Sequence, residues 1–101
     1  MKTSTLIDVN AAKLQKLLDH NREPSDSPDL VDELIGISLY IGESYYPALK
    51  HARAFAESVR RYYGPDSANL DSESRKELVL KMRTDVVKIA AESTRCRMDN
   101  D

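Results

Sequence analysis

Residues 28–63 read PDLVDELIGISLYIGESYYPALKHARAFAESVRRYY, and this stretch decides the fold. Its apolar residues recur every three or four positions, which is the spacing of one face of an amphipathic α-helix. Ser27 before Pro28 is a favourable helix start, because a proline in the first turn lacks only an N–H that has no helical partner there. Gly64 and Pro65 end the pattern, since a helix rarely continues through this pair. The stretch therefore predicts a long helix over residues 28–63.

Pro47 interrupts this helix. A proline inside a helix removes one backbone hydrogen bond and crowds the carbonyl four residues earlier, here that of Glu43, at a cost of about 3 kcal/mol. On a helical wheel Pro47 falls opposite the apolar stripe, on the side where a bent helix is convex. We therefore expect one continuous, kinked helix, and the alternative is two helices broken between Gly42 and Pro47. Gly36 and Gly42 are expected to mark the close approach of another helix or a weak point near the bend.

Two further segments, residues 5–20 and 72–97, carry the same helical spacing, and the polar segments 21–27 and 64–71 have the composition of linkers. The predicted fold class is all-α, with residues 1–101 forming a single helical domain. In this arrangement the long kinked helix packs antiparallel against the last helix as a hairpin. The N-terminal helix lies across the hairpin or reaches to a neighbouring subunit.

The composition excludes several classes of protein. The chain has 101 residues with only 3 glycines and 4 prolines, and it has no alternating apolar run. This composition argues against a β-sandwich or β-barrel. The one cysteine, Cys96, cannot form an internal disulfide, and the N-terminal residues have neither a signal-peptide nor a transit-peptide pattern, so we expect a cytoplasmic protein. No stretch approaches the roughly 18 apolar residues that span a bilayer, so we expect no membrane partner.

The charge is close to neutral in total but uneven along the chain. A formal net charge of −2 is evidence against a protein that coats nucleic acid. Residues 31–46 contain acidic residues and no basic residue, whereas residues 47–64 contain four basic residues and one acidic residue. The sequence therefore predicts oppositely charged regions within one short stretch of chain.

The apolar surface of the predicted helices is wider than three helices can bury against one another. In the last helix the apolar side chains cover an arc of about 220°, roughly twice what one neighbouring helix covers. The long helix is similarly broad. We therefore expect a second chain to cover the remainder, most simply in a homo-oligomer, a dimer or larger.

No motif for chemistry occurs in the sequence. The candidate metal ligands His20, His51 and Cys96 are far apart in the chain, and the glycines do not cluster before a helix as a phosphate loop requires. Cys96 falls near the negative end of a helix, which raises the pKa of a thiol, so we expect a small packing residue and no nucleophile. The sequence thus predicts no enzyme, no metal site and no cofactor.

All five tyrosines lie within residues 40–63. Three of them fall on the apolar stripe, where the core is expected: Tyr45, Tyr62 and Tyr63. Tyrosine provides a large, rigid contact area and is enriched at protein interfaces, so tyrosines off the stripe are candidate contact residues. The predicted interaction residues lie outside the main stripes: Tyr40, Tyr46, Leu80 and Val87.

The polar face of the long helix also carries a basic strip: Lys50, Arg53, Arg60 and Arg61. Because Glu57 lies in its middle, the strip is expected to be a solvated face with ion pairs at four-residue spacing. The alternative is a phosphate-binding strip in which the neighbouring Tyr62 and Tyr63 stack on bases.

These observations favour a small non-enzymatic helical interaction protein that self-associates and binds another protein as an adaptor, inhibitor or assembly component. The alternative is a nucleic-acid-binding accessory protein that uses residues 50–63. In its size, helical composition and lack of motifs, the chain resembles small accessory proteins of phages and mobile elements.

Overall fold

The structure is a computed structural model and describes residues 1–99. It has four α-helices: α1 (Thr3–His20), α2 (Pro28–Ser44), α3 (Leu49–Tyr62) and α4 (Ser72–Met98). Two short 3-10 turns, Tyr46–Ala48 and Ser67–Asn69, precede α3 and α4. No strand occurs in this part of the chain, so the predicted all-α fold class is confirmed. Within the same residues, no helix combines the length and the apolar character needed to cross a bilayer.

The prediction of one continuous helix over residues 28–63 is wrong, because the chain breaks before Pro47. Helix α2 ends at Ser44, and Tyr45 has extended backbone with φ −144° and ψ 100°. Breaking the helix removes the clash that Pro47 causes inside a helix. A kinked helix would also hold the two apolar stripes end to end on one rod, whereas a turn lets α3 fold back so that the stripes bury each other.

Gly42 allows this fold-back. A Cβ atom at Gly42 would lie 3.0 Å from Cα and 2.8 Å from Cδ1 of Leu49, so the end of α2 approaches the start of α3 almost at backbone distance. The expected close approach of a helix is therefore confirmed at Gly42. It does not occur at Gly36, where no atom lies within 4 Å of the position of a Cβ.

The helices form an antiparallel bundle in which α1, α2, α3 and α4 pack in a ring, each against two neighbours. At one end, the N–H of Ser25 in the linker after α1 donates to the carbonyl of Tyr62 at the end of α3, at 3.3 Å. At the other end, Arg97 of α4 pairs with Asp8 of α1, with 2.6 Å between Nη2 and Oδ2. The expected hairpin of the long helix on the last helix is therefore replaced by α2 packed on α3 and α3 packed on α4, and α1 closes the ring.

The core runs along the bundle and takes side chains from all four helices. The large aliphatic and aromatic side chains that are fully buried include Ile7, Leu14, Leu34, Ile41, Phe55, Val59, Met82 and Ile89. Burying one such side chain contributes about 1.5–3 kcal/mol. Cys96 is buried in the same cluster, which confirms its prediction as a packing residue.

Two neighbouring tyrosines close one end of the core. Tyr62 and Tyr63 are only 3% and 1% exposed, and their rings meet edge to face with 4.9 Å between centroids. The Tyr63 hydroxyl donates to the carbonyl of Asn21 at 2.5 Å, and the Tyr62 hydroxyl donates to the carbonyl of Arg22. These bonds satisfy hydroxyls that would be costly to bury alone, and they hold the linker after α1 against α3.

Candidate interaction surface

Helix α4 carries uncharged residues on its exposed side as well as on its buried side. We call the exposed set the outer seam, and its six members are Leu80, Thr84, Val87, Ala91, Thr94 and Met98. Leu80 and Val87 are 69% and 65% exposed, which is high for large apolar side chains. The spacing alternates between four and three residues, as in positions that contact a partner helix in a coiled coil. The outer seam is therefore one continuous stripe along the helix.

The opposite side of α4 faces the core. We call it the inner seam, and its buried members are Leu78, Met82, Val86, Ile89, Ser93 and Cys96. The separate helices α2 and α3 provide four helices instead of three, so the bundle itself covers more of the wide apolar arcs than we expected. On α4, the apolar surface that stays uncovered is the outer seam.

Basic side chains border the outer seam on both edges: Lys81, Arg83, Lys88, Arg95 and Arg97. Two of them also hold α1 in place. Arg83 lies 3.0 Å from Asp19, and this guanidinium is the main reason why the pKa of Asp19 is below its usual value. The second is Arg97, through its pair with Asp8.

The two acidic residues within the same length of α4 lie on the side of α3. Glu92 Oε1 lies 3.7 Å from His51 Nε2. Asp85 lines a groove between α3 and α4 together with Arg61 and Lys81, and burial raises the pKa of its carboxyl. Along the outer seam, α4 itself therefore contributes more cations than carboxylates, although Arg83, Arg95 and Arg97 are each paired with a carboxylate.

Helix α2 has the opposite charge on its exposed side. We call this side the acidic face, and its four exposed carboxylates are Asp29, Asp32, Glu33 and Glu43. Helix α2 contains no basic residue. Gly36 lies at the centre of the acidic face, and Tyr40, which is 51% exposed, lies one turn further along. The face thus presents one aromatic ring among carboxylates.

All four cations of the predicted basic strip are exposed on α3: Lys50, Arg53, Arg60 and Arg61. The first two line an open groove of about 330 Å³ together with Tyr46 and Arg95. Arg60 lines a groove to which Asp32 of α2 also contributes. Arg61 lies in the groove against α4. The four cations therefore lie along α3 and border three different grooves of the bundle.

Tyr62 and Tyr63 are not available to stack on bases, which corrects that part of the nucleic-acid prediction. Their rings are buried and their hydroxyls bind the linker, because both residues fall on the stripe that faces the core. The exposed aromatic residue beside the cations is Tyr46, at 80% exposure. Tyr45 is half-buried; this burial and the bond from its hydroxyl to Asp99 raise its pKa to about 12.

The four predicted interaction residues are all exposed, but they do not form one patch. Leu80 and Val87 belong to the outer seam, Tyr40 lies on α2, and Tyr46 lies at the turn before α3. The sequence analysis missed the other members of the outer seam, Thr84, Ala91, Thr94 and Met98. Their alternating four- and three-residue spacing was the signal that could have found them.

Among residues 1–99, no three His, Cys, Asp or Glu side chains group closely enough to hold a metal ion. Comparison with protein families, curated proteins and solved structures finds no match for this chain. Among the described residues, the outer seam of α4 is the candidate interaction surface.

Proposed function

We propose that this protein is a non-enzymatic helical interaction protein, which self-associates and binds another protein as an adaptor, inhibitor or assembly component. One observation supports the proposal: the outer seam of α4 is a second stripe in coiled-coil spacing that the bundle leaves exposed. Leu80, Val87 and Met98 are its large apolar members, and the sequence predicts Leu80 and Val87 as contact residues.

Isolated apolar residues are common on protein surfaces and need no explanation. A stripe of six uncharged residues in helical register is different, because a docked helix can remove all of them from water together. Burying a Val or Leu side chain contributes about 1.5–3 kcal/mol, so two such residues in one interface are enough to decide whether a weak complex forms. The basic border favours a partner surface that carries carboxylates.

The test compares the wild type with Leu80→Glu/Val87→Glu by light scattering behind a sizing column at tens of micromolar. We expect the double variant to weaken association at least about tenfold, because both substitutions place a charge in the buried part of the interface. Val9→Glu is the matched control, since Val9 is an exposed apolar residue on α1, at 41% exposure. A wild type that stays monomeric removes the self-association part of the proposal.

Binding of another protein needs its own measurement, namely capture from the source cell with the same three proteins as bait. We expect a partner that the wild type and Val9→Glu retain and that Leu80→Glu/Val87→Glu loses. A partner held equally by all three proteins would place the binding site elsewhere on the molecule. The proposed compartment is the cytoplasm, because a chain with one cysteine has no internal disulfide and small secreted domains usually depend on several.

Nucleic-acid binding is the second candidate, favoured by the groove of Tyr46, Lys50, Arg53 and Arg95. Three cations beside one exposed ring can neutralise phosphates while the ring stacks on a base. We expect Lys50→Glu/Arg53→Glu to abolish any retention of single strands at low salt, and Arg60→Glu/Arg61→Glu to have less effect. No retention of the wild type at low salt would end this candidate.

A further inference from the structure

Charge points to the surface that best fits the outer seam. The seam is bordered by five basic residues between positions 80 and 98, of which Arg83, Arg95 and Arg97 each pair with a carboxylate while Lys81 and Lys88 are in no ion pair within residues 1–99. Two outer seams packed against each other would therefore bring cations against cations, which is unfavourable. A partner surface needs an apolar centre and an acidic border.

The acidic face of α2 has this composition. Four carboxylates surround Gly36 and Tyr40, and no cation lies on the helix. Gly36 has open space around the position of a Cβ, although glycine is unfavourable in a helix compared with alanine. The missing side chain leaves a gap in the helix surface beside the Tyr40 ring, where a side chain of a partner helix can pack.

The two surfaces also match in position and length. Helices α2 and α4 each pack against α1 and α3, so they occupy opposite corners of the ring and their exposed faces point away from each other. At about 1.5 Å per residue, α2 is about 25 Å long and the outer seam about 27 Å. One face cannot reach the other within one molecule.

We propose that the outer seam of α4 in one molecule binds the acidic face of α2 in a second copy of the same chain. This inference rests on the proposed function, because it specifies the partner of the outer seam in self-association. The interface is head-to-tail: every molecule in a pair still has one free α2 face and one free α4 face. Such contacts grow into open chains or close into rings.

The first test is the salt dependence of wild-type association, measured by sedimentation velocity. Contacts between opposite charges weaken when salt screens them. We expect the dissociation constant to rise at least about threefold between about 50 and 500 mM NaCl. If two basic borders were in contact instead, salt would screen their repulsion and the dissociation constant would fall as salt rises. That result would overturn the head-to-tail arrangement.

The second test uses two variants that each lose one face. Leu80→Glu/Val87→Glu disables the outer seam, and Glu33→Lys/Tyr40→Lys disables the acidic face. All four residues are exposed, and circular dichroism verifies that each variant folds. We expect each variant alone to be monomeric and the equimolar mixture to form a complex of two chains, since the mixture contains one intact acidic face and one intact outer seam.

Asp66→Lys/Asn69→Lys is the matched control, because it changes the net charge by the same +3 at exposed positions in the linker between α3 and α4, outside both faces. We expect this control to associate as the wild type does. If Glu33→Lys/Tyr40→Lys alone still associates as the wild type does while Leu80→Glu/Val87→Glu does not, the head-to-tail inference fails and the proposed function stands. If Leu80→Glu/Val87→Glu associates like the wild type, the role proposed for the outer seam fails and the inference fails with it.

Discussion

The inner and outer seams of α4 have similar spacing and similar residues, yet the bundle buries only one of them. The inner seam meets α1 and α3, whereas the outer seam meets solvent over the same turns of helix. The same side chain should therefore matter for stability on one side and for association on the other. Pairs of substitutions that differ only in which side they face test this difference.

The largest contrast is expected between Ile89→Ala and Leu80→Ala. Ile89 is completely buried, so its truncation removes apolar burial and leaves a cavity, at a cost of about 2–5 kcal/mol in the free energy of unfolding. Leu80 is mostly exposed, and its truncation should change that free energy by less than about 0.5 kcal/mol. Urea unfolding of both variants at low protein concentration provides the measurement. Equal losses would mean that Leu80 is part of the folded core.

The two helical glycines of α2 give the next contrast. Gly42→Ala should destabilise by about 1–3 kcal/mol, because the added methyl meets the backbone of Leu49. Gly36→Ala should stabilise by up to about 1 kcal/mol, because alanine favours the helix and the site is open. Thermal unfolding of both variants checks the opposite signs. A Gly36→Ala variant less stable than the wild type would contradict the open space around this position.

The tyrosines allow a smaller comparison. Tyr63→Phe leaves the carbonyl of Asn21 without the hydroxyl that donates to it, which should cost about 1–2 kcal/mol. Tyr46→Phe removes a hydroxyl from a side chain that is 80% exposed and should cost less than about 0.5 kcal/mol. Chemical unfolding measures both. A Tyr63→Phe variant as stable as the wild type would argue against the bond to the linker.

The smallest expected effect is a loss of stability in alkali. Burial raises the pKa of Tyr63 above the 10.0 of an unperturbed tyrosine. The unfolded chain therefore releases this proton near pH 10 while the folded chain retains it, so the contribution is complete below pH 10 and declines above it. The stability advantage of the wild type over Tyr63→Phe should shrink between pH 10 and pH 11. Parallel pH profiles would contradict this assignment.

Local signals in the sequence were sufficient for the helices at the two ends of the chain. The segments predicted at 5–20 and 72–97 correspond to α1 and α4 within two residues, because apolar spacing and polar linkers act over short distances. The break before Pro47 depends on packing between the two helices that it creates. A proline bends or breaks a helix according to whether the two halves can pack on each other, and here that depends on Gly42 and Leu49 meeting.

The candidate surface was predictable in part. Leu80 and Val87 followed from the width of the apolar arc, which is a property of one helix. The sequence did not predict the acidic face as a binding surface, because its proposed partner lies on a helix about 40 positions further along the chain. The sequence shows that residues 31–46 carry a negative net charge. Only the order of the helices in the ring places α2 opposite α4. Tyr62 and Tyr63 follow Arg60 and Arg61 directly in the sequence, but their side chains point into the core while those of the two arginines are exposed.

The opposite charges of α2 and α4 have a consequence for how molecules meet in solution. A protein with a formal net charge of −2 is nearly neutral at a distance, but this one carries negative charge on one side and positive charge on the other. It is therefore an electric dipole across its short axis. As two molecules approach within about 10 Å, their dipoles exert a torque that turns unlike sides toward each other before any side chains touch. The electric field of the fold thus selects an orientation during diffusion, and it does so for any charged partner that approaches this protein.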